Sequence, residues 1–425
     1  METNEITRLS GYQKIVIFIL AMTQFTVILD FMVMSPLGDM LIKSLSMKPS
    51  SFGVAVSAYA FSAGISGLLT AGFADRFDRK KLLLFFYTGF IIGTFLCSLA
   101  TSYEVLVVAR IITGLFGGVI GSISMAIITD LFTLQQRGRV MGYVQMGFGA
   151  SQVLGIPIGL YIANQWGWES PFVMVAALGI ILAIFIVVKL KPINKHLGLV
   201  HEKTAFKHLL HTVSKRNYRI GFASTAVLSI GGFMMMPFGS VFAVNNLHVT
   251  AKELPVLFMI SGVSSLLIMP MVGRLSDKMS KFKIFAMASI LMMIICVAYT
   301  NLSATPFWIV IIFNIFMMIA VMSRMIPSSA LTSAIPEPED RGAFMSINAS
   351  MQQIAGGVAA AVSGIIVVQK TEFSPLVNYN IVGYVVFVIS LIGIYLVHRV
   401  DQLAAKKVAK NGEPAEKVEM MMAEF

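Results

Sequence analysis

Two charged residues stand inside long apolar runs: Asp30 in the run 14–42 and Arg110 in the run 105–132. An ionisable side chain in such a run is costly and is by default a functional hypothesis. At ~1.5 Å of helix rise per residue, Asp30 lies about 24 Å from Lys14, and Arg110 about 9 Å from Glu104. In a hydrocarbon slab of about 30 Å, both fall in the outer-to-middle part. They can meet if the two runs face one cavity. A carboxyl balanced between loss of water and a neighbouring guanidinium can load and release a proton as water access changes sides. Asp30 is therefore expected to be the proton-coupling acid and Arg110 its tuner. The rival reading is a static ion pair that stabilises the bundle.

Arg324, in the run 305–334, is a second deep charge, with no acid in its own run. Two placements are open: it faces a cavity and attracts an anionic or carbonyl-bearing solute, or it snorkels to the headgroups. Gln145 and Gln152 lie on one helix face, as do Asn348 and Gln352, and Asn314 joins them as a cavity candidate. Amides at this depth need partners, which a water-filled cavity or helix–helix hydrogen bonds supply. Met32 and Met235 flank prolines and are candidates for an adaptable apolar binding wall; packing against neighbouring helices is the alternative.

The elements that must position these residues follow from composition. The chain has 425 residues, 57% hydrophobic and 12% charged, with a mean hydropathy of +0.82. That is too little charge to cover a soluble surface, so the chain belongs in lipid. Apolar runs of spanning length recur at roughly 14–42, 52–73, 82–100, 105–132, 140–164 and 168–190. They resume at 219–246, 254–275, 284–302, 305–334, 343–369 and 379–398. The expectation is an all-α membrane protein of twelve transmembrane helices in two pseudo-symmetric six-helix bundles. The bundles are residues 1–190 and 219–400, with a basic linker at 191–218 and a tail at 401–425.

The net charge of +11 lies in short loops between runs, as topology signals do. A nucleic-acid surface would gather it on one folded face, so a nucleic-acid partner is excluded. Lys and Arg crowd the segments on one side, from Arg8 through Arg76, Arg79, Arg137 and Arg274 to Arg341. The other side holds only Lys43, Lys48, Lys252 and Lys370. Both termini are therefore expected to be cytoplasmic in a multi-pass cell-membrane protein, and the compact loops fit a prokaryotic inner membrane. The first run continues into a full span, so no cleaved signal peptide is expected.

The halves repeat in order: Pro36 matches Pro237 at an offset of 201, Asp75 matches Asp277 at 202, and Arg137 matches Arg341 at 204. By the first offset the counterpart of Asp30 is Gly231, so the acid exists in one copy only. Parallel repeats place a solute cavity between the halves near mid-membrane. No Gly-rich phosphate loop, catalytic constellation or metal-ligand spacing is present. Neither an enzyme, a metal site nor a cofactor is expected. A single acid in repeated halves favours alternating access over an open pore.

The segment Ala71–Lys80 resembles the cytoplasmic-loop motif of the major facilitator superfamily, with Ala71 and Asp78 at the two usual glycine positions. The second copy runs from Gly273 through Asp277 to Lys281. Arg110 with Gly114, Gly118 and Gly121 is similar to the fourth-helix motif. Gly155-Ile156-Pro157-Ile158-Gly159 resembles the fifth-helix motif of exporters, split by Ile156, and Asp30 with Pro36 is similar to their first-helix signature. The resemblance covers nearly the whole chain and points to the twelve-span, proton-driven drug exporters. It implies that Asp75, Arg76, Arg79 and Asp130, with Gly273 and Asp277 in the second copy, form a latch. It implies hinge or packing roles for Pro36, Pro237, Gly114, Gly118, Gly155, Pro157 and Gly159. The function it implies is proton-coupled efflux of small organic solutes by a monomer in the bilayer, with proton-coupled import of a sugar, organic anion or other metabolite as the alternative.

Overall fold

The computed structural model describes residues 9–70, 76–194, 197 and 205–410. The latch candidate Asp75 lies outside them, as do parts of the linker and the tail beyond Lys410.

Two pseudo-symmetric six-helix bundles account for the helices. The first bundle holds span one (Gly11–Val33 with Gly38–Ser44), span two (Pro49–Thr70), span three (Arg79–Ser98), span four (Tyr103–Leu131), span five (Leu134–Trp166) and span six (Ser170–Lys189). A short helix, Ala205–Ser214, leads into the second. There follow span seven (Arg216–Phe233 with Gly239–Asn245), span eight (Leu254–Lys278), span nine (Lys281–Thr300), span ten (Phe307–Ala334), span eleven (Arg341–Ile366) and span twelve (Tyr379–Lys410). Twelve crossings leave the start of span one and the end of span twelve on one side, called here the near side; the opposite one is the far side.

Among the described residues, eleven helices are individually long and apolar enough to cross a membrane. Span seven is the one that is not. A break at Met234–Phe238 limits its main helix to 18 residues, and Arg216 and Arg219 occupy its first turn. Span one breaks at the matching place, Met34–Leu37, but its main helix has 23 residues. Pro36 and Pro237 are buried in these breaks, where a residue with no N–H and a fixed φ ends the helix. Span five contains a wide turn, Ser151–Gly155, in which the Ile156 N–H reaches the Ser151 carbonyl. Pro157 follows at once, and the wide turn accommodates the hydrogen bond that proline cannot donate.

Two boundaries differ from those read in the sequence. Span seven begins at Arg216, inside the stretch read as linker. Span twelve continues ten residues past 400, with Asp401, Ala404 and Ala405 buried. Lys407 explains the extension, since its Nζ donates to the Pro336 and Ile335 carbonyls at 2.5 and 3.2 Å. An ammonium there satisfies the orphan carbonyls beyond span ten.

The halves meet closely where spans two and eleven cross. A Cβ built on Gly53 would lie 2.7 Å from the Ala360 carbonyl oxygen, and one on Gly364 only 3.1 Å from Gly53 Cα. Glycine is required there because the two backbones touch. Hydrogen bonds join the far-side ends: Ser35 Oγ donates to the Met236 carbonyl, Ser240 Oγ to the Ser35 carbonyl at 2.5 Å, and Asn245 Nδ2 to Asp39 Oδ1 at 2.6 Å. Asn164 Nδ2 adds a bond to the Ala251 carbonyl at 2.7 Å. The breaks in spans one and seven thus clasp each other.

Candidate functional site

Span one opens on a capping box, in which Ser10 accepts from the Gln13 N–H and Gln13 accepts from the Ser10 N–H. From there the helix runs unbroken to Val33 and sets Asp30 one turn before the break. Span four presents Gly114 and Gly118 to span two: a Cβ on Gly118 would lie 2.5 Å from Ala63 Cα, and one on Gly114 would overlap Ser62 and the Tyr59 backbone. That close approach brings Tyr59 over Arg110, with the guanidinium carbon 4.5 Å from the ring centroid.

Arg110 Nη1 donates to Asp30 Oδ2 at 2.7 Å, and both side chains are fully buried. Thr94 Oγ1 of span three donates to Asp30 Oδ1 at 3.0 Å. Arg110 Nε and Nη2 have no hydrogen-bond partner among the described residues. The carboxylate therefore holds two donors, while the guanidinium rests against the Tyr59 π face and beside the Cys97 thiol and makes one ion pair. The meeting of Asp30 and Arg110, expected from their depth, is present. Thr94 and Tyr59 carry no sequence signal that would have marked them.

Arg324 is 5% exposed, so it does not reach headgroups. Its guanidinium carbon lies 5.7 Å from the Phe285 ring centroid, and Nε and Nη2 are buried without a hydrogen-bond partner among the described residues. Nη2 lies 3.9 Å from where a Cβ on Gly231 would be. Gln152 Nε2 meets Met32 Sδ at 3.8 Å. Met235 is buried against Cys296, 3.2 Å between sulfurs, and its carbonyl accepts from the Tyr379 hydroxyl. Asn314 donates to the Val310 carbonyl of its own helix, and Asn348 Oδ1 is buried without a hydrogen-bond partner among the described residues. Gln145 and Gln352 are exposed. The amides are thus distributed along spans five, ten and eleven and are not bonded to one another.

On the near side, Arg79 Nε donates to Asp130 Oδ2 at 3.1 Å, and the Arg79 N–H donates to the Ile193 carbonyl. Asp78 caps span three by accepting from the Lys81 N–H, which explains an acid where the resembling motif has glycine. Arg76 is exposed. Span eight continues through Gly273 and Asp277, so Asp277 is an exposed residue on the last helical turn and makes no ion pair among the described residues. A buried acid of the second half, Asp340, accepts from Lys215 Nζ at 2.5 Å and the Tyr218 hydroxyl at 2.8 Å. Tyr218 in turn accepts from the Glu337 N–H. Hydrogen bonding to Asp340 pushes the Lys215 ammonium above its ordinary value. Nothing in the sequence singles out Asp340, which stands next to Arg341.

Gly155 sits in the wide turn of span five, where a Cβ would lie 2.7 Å from Leu29 Cδ1. Gly159 packs near Val33 and Pro171. These positions and Pro157 set the contact between span five and the span-one helix that carries Asp30.

The chain matches the family model described as Major Facilitator Superfamily over residues 20–360 and 221–421. It is 25% identical over 381 residues to the uncharacterized MFS-type transporter YbcL of Bacillus subtilis, covering 89% of this chain and 95% of that protein. It is 25% identical over 279 residues to multidrug resistance protein 2 of the same organism, covering 63% and 68%. Identity to a probable sugar efflux transporter of Mannheimia succiniciproducens is 24% over 353 residues, covering 82% and 85%. The crystal structure of a D-xylose-proton symporter has the same fold, with a TM-score of 0.73 at 16% identity, over 92% of this chain and 97% of that one. A bacterial homolog of the human lysosomal transporter Spinster, inward-facing and unoccupied, gives 0.69 at 15% identity over 93% and 96%. The chain belongs to the Major Facilitator Superfamily, and it is a multi-pass membrane transporter.

Proposed function

We propose that this transporter exports small organic solutes in exchange for protons by alternating access. The observation that carries the reading is the Asp30–Arg110 pair: a carboxylate and a guanidinium, both fully buried, 2.7 Å apart on spans one and four. A buried pair of this kind is a poor source of stability, since desolvation opposes the attraction. It is well suited to a proton switch, because protonating Asp30 frees the Arg110 charge and gives the two states different electrostatics. The efflux direction draws on the exporter-like residues of spans one, four and five. It draws also on relatives named for multidrug resistance and sugar efflux.

In this reading the halves rock about the Pro36 and Pro237 breaks, and the Gly53–Gly364 crossing and the far-side hydrogen bonds open and close that end. Arg79 and Asp130 latch the near side. Gln145, Gln152, Asn314, Asn348, Gln352, Met32, Met235 and Arg324 line the solute path. The functional unit is a monomer in a bacterial cell membrane with both termini in the cytoplasm.

The test is growth of a drug-sensitive bacterial host on a panel of toxic compounds, comparing wild type with Asp30→Asn at matched membrane levels. Protection that the variant loses supports proton-driven export. Increased sensitivity with wild type would point to import and overturn the direction.

A further inference from the structure

The two halves treat one structural position in opposite ways. In the first half, Asp30 of span one carries the counter-charge for an arginine of span four. In the second half, the repeat-related position of span seven is Gly231. Yet an arginine of span ten, Arg324, brings Nη2 to 3.9 Å from where a Gly231 Cβ would stand. The second half thus keeps a cation facing span seven and lacks the acid.

What surrounds that cation is apolar. Phe285 of span nine faces the guanidinium, and Gly393 of span twelve would place a Cβ 3.8 Å from Nη2, with Val227 Cγ1 equally close. Ile389 Cγ2 lies 3.4 Å from the Gly231 Cβ position. Among the described residues Arg324 makes no ion pair, and its Nε and Nη2 are buried without acceptors. A buried guanidinium without a counter-ion carries a large desolvation cost. The next residue, Gly232, is exposed, and a Cβ there would meet nothing within 4 Å.

We propose that Arg324 is the anchor of a binding site for small organic monocarboxylates, with the carboxylate taking up beside Gly231 the position that the Asp30 side chain holds in the first half. Two parallel N–H groups on the guanidinium suit the two oxygens of a carboxylate. The Phe285, Val227 and Ile389 lining favours a carboxylate with an apolar body over a hydrated inorganic anion. As a solute site this rests on the transport reading above, but binding itself requires neither proton coupling nor a direction of transport.

Gly231→Asp is the discriminating variant. Its Cβ meets only ordinary contacts, so the new carboxylate fits and supplies from within the chain the charge that a solute would bring. The full-length protein is purified in detergent, and its thermal unfolding is followed with benzoate, benzamide or sodium chloride at equal concentration. With benzoate at about a hundredfold excess over its Kd, wild type is expected to gain about 3 °C in Tm. Benzamide and chloride should give none. Gly231→Asp should melt no lower than wild type and lose the benzoate response, and Arg324→Ala should lose it too. Asp30→Asn should keep it, which separates this site from the coupling pair. No rise in wild type, an equal rise with chloride, or a rise retained in Gly231→Asp or Arg324→Ala would overturn the proposal. So would a rise lost in Asp30→Asn, because it would place benzoate at the other arginine.

Discussion

Gly53→Ala adds one methyl group at the place where the halves touch most closely near the far side. The new carbon would sit 2.7 Å from the Ala360 carbonyl oxygen and 3.0 Å from Gly364 Cα, where ordinary contact starts at 3.4 Å. Both obstacles are backbone, so neither can rotate away, and spans two and eleven must separate by about 0.7 Å. Overpacking of this size costs about 1–3 kcal/mol. Because the clash exists only while the far-side ends are together, that cost shifts the balance toward far-side-open states by roughly five- to a hundredfold. Spin labels at Lys48→Cys and Lys370→Cys, on the far-side ends of the two spans, report the change as distances from double electron–electron resonance. Gly53→Ala should move population to longer distances. Gly364→Ala, whose nearest contact is 3.1 Å, should move less, and Gly239→Ala, with nothing within 4 Å, not at all. A Gly53→Ala distribution that matches wild type, or a Gly239→Ala shift as large, would refute the reasoning.

Asp30→Ala leaves Arg110 buried without its counter-charge and should lower stability by about 3–5 kcal/mol in thermal or denaturant unfolding. Combining it with Arg110→Met should restore part of that loss. Asp340→Ala removes the acceptor of Lys215 and Tyr218 and should cost about 1.5–3 kcal/mol, the lower end being favoured because Lys215 is partly exposed. A raised Lys215 pKa means its contribution is complete below the ordinary lysine value and fades only as pH rises through the folded one. The Asp340→Ala deficit should therefore be flat from about pH 6 to about pH 9. Cys97 and Cys296 are fully buried, so neither should react with maleimide in the folded protein, and both should react after denaturation.

The fold and the central pair were legible because charge in an apolar run is conspicuous and two such runs at matching depth are constrained to meet. Asp30 and Arg110 needed no more than that. Thr94 and Tyr59 could not be found this way, since a threonine and a tyrosine in apolar spans are common and only the packing of spans two, three and four on span one selects these. The contact between Arg79 and Asp130 is the one the resemblance implied, whereas Asp277 is an exposed residue on the last turn of span eight and makes no ion pair among the described residues. Asp340 was missed for the opposite reason: its partners Lys215 and Tyr218 come from the start of span seven, more than 120 residues away in sequence. The sequence left Arg324 divided between a cavity and the headgroups; burial excludes the headgroups.

The short, twice-charged main helix of span seven has a consequence for how the protein is made. During synthesis each span must leave the translocation channel for lipid, and arginine in a span opposes that step by a few kcal/mol where it reaches the hydrocarbon. Span six, with no charge before Lys189, should enter at once. Span seven, with Arg216 and Arg219 at its near end and a break after Phe233, has little driving force of its own. Its placement then depends on span eight, whose uninterrupted 25 residues follow after a loop. The second half should therefore enter the bilayer as a cooperative pair of helices, and if synthesis ended before span eight, span seven should remain outside the membrane.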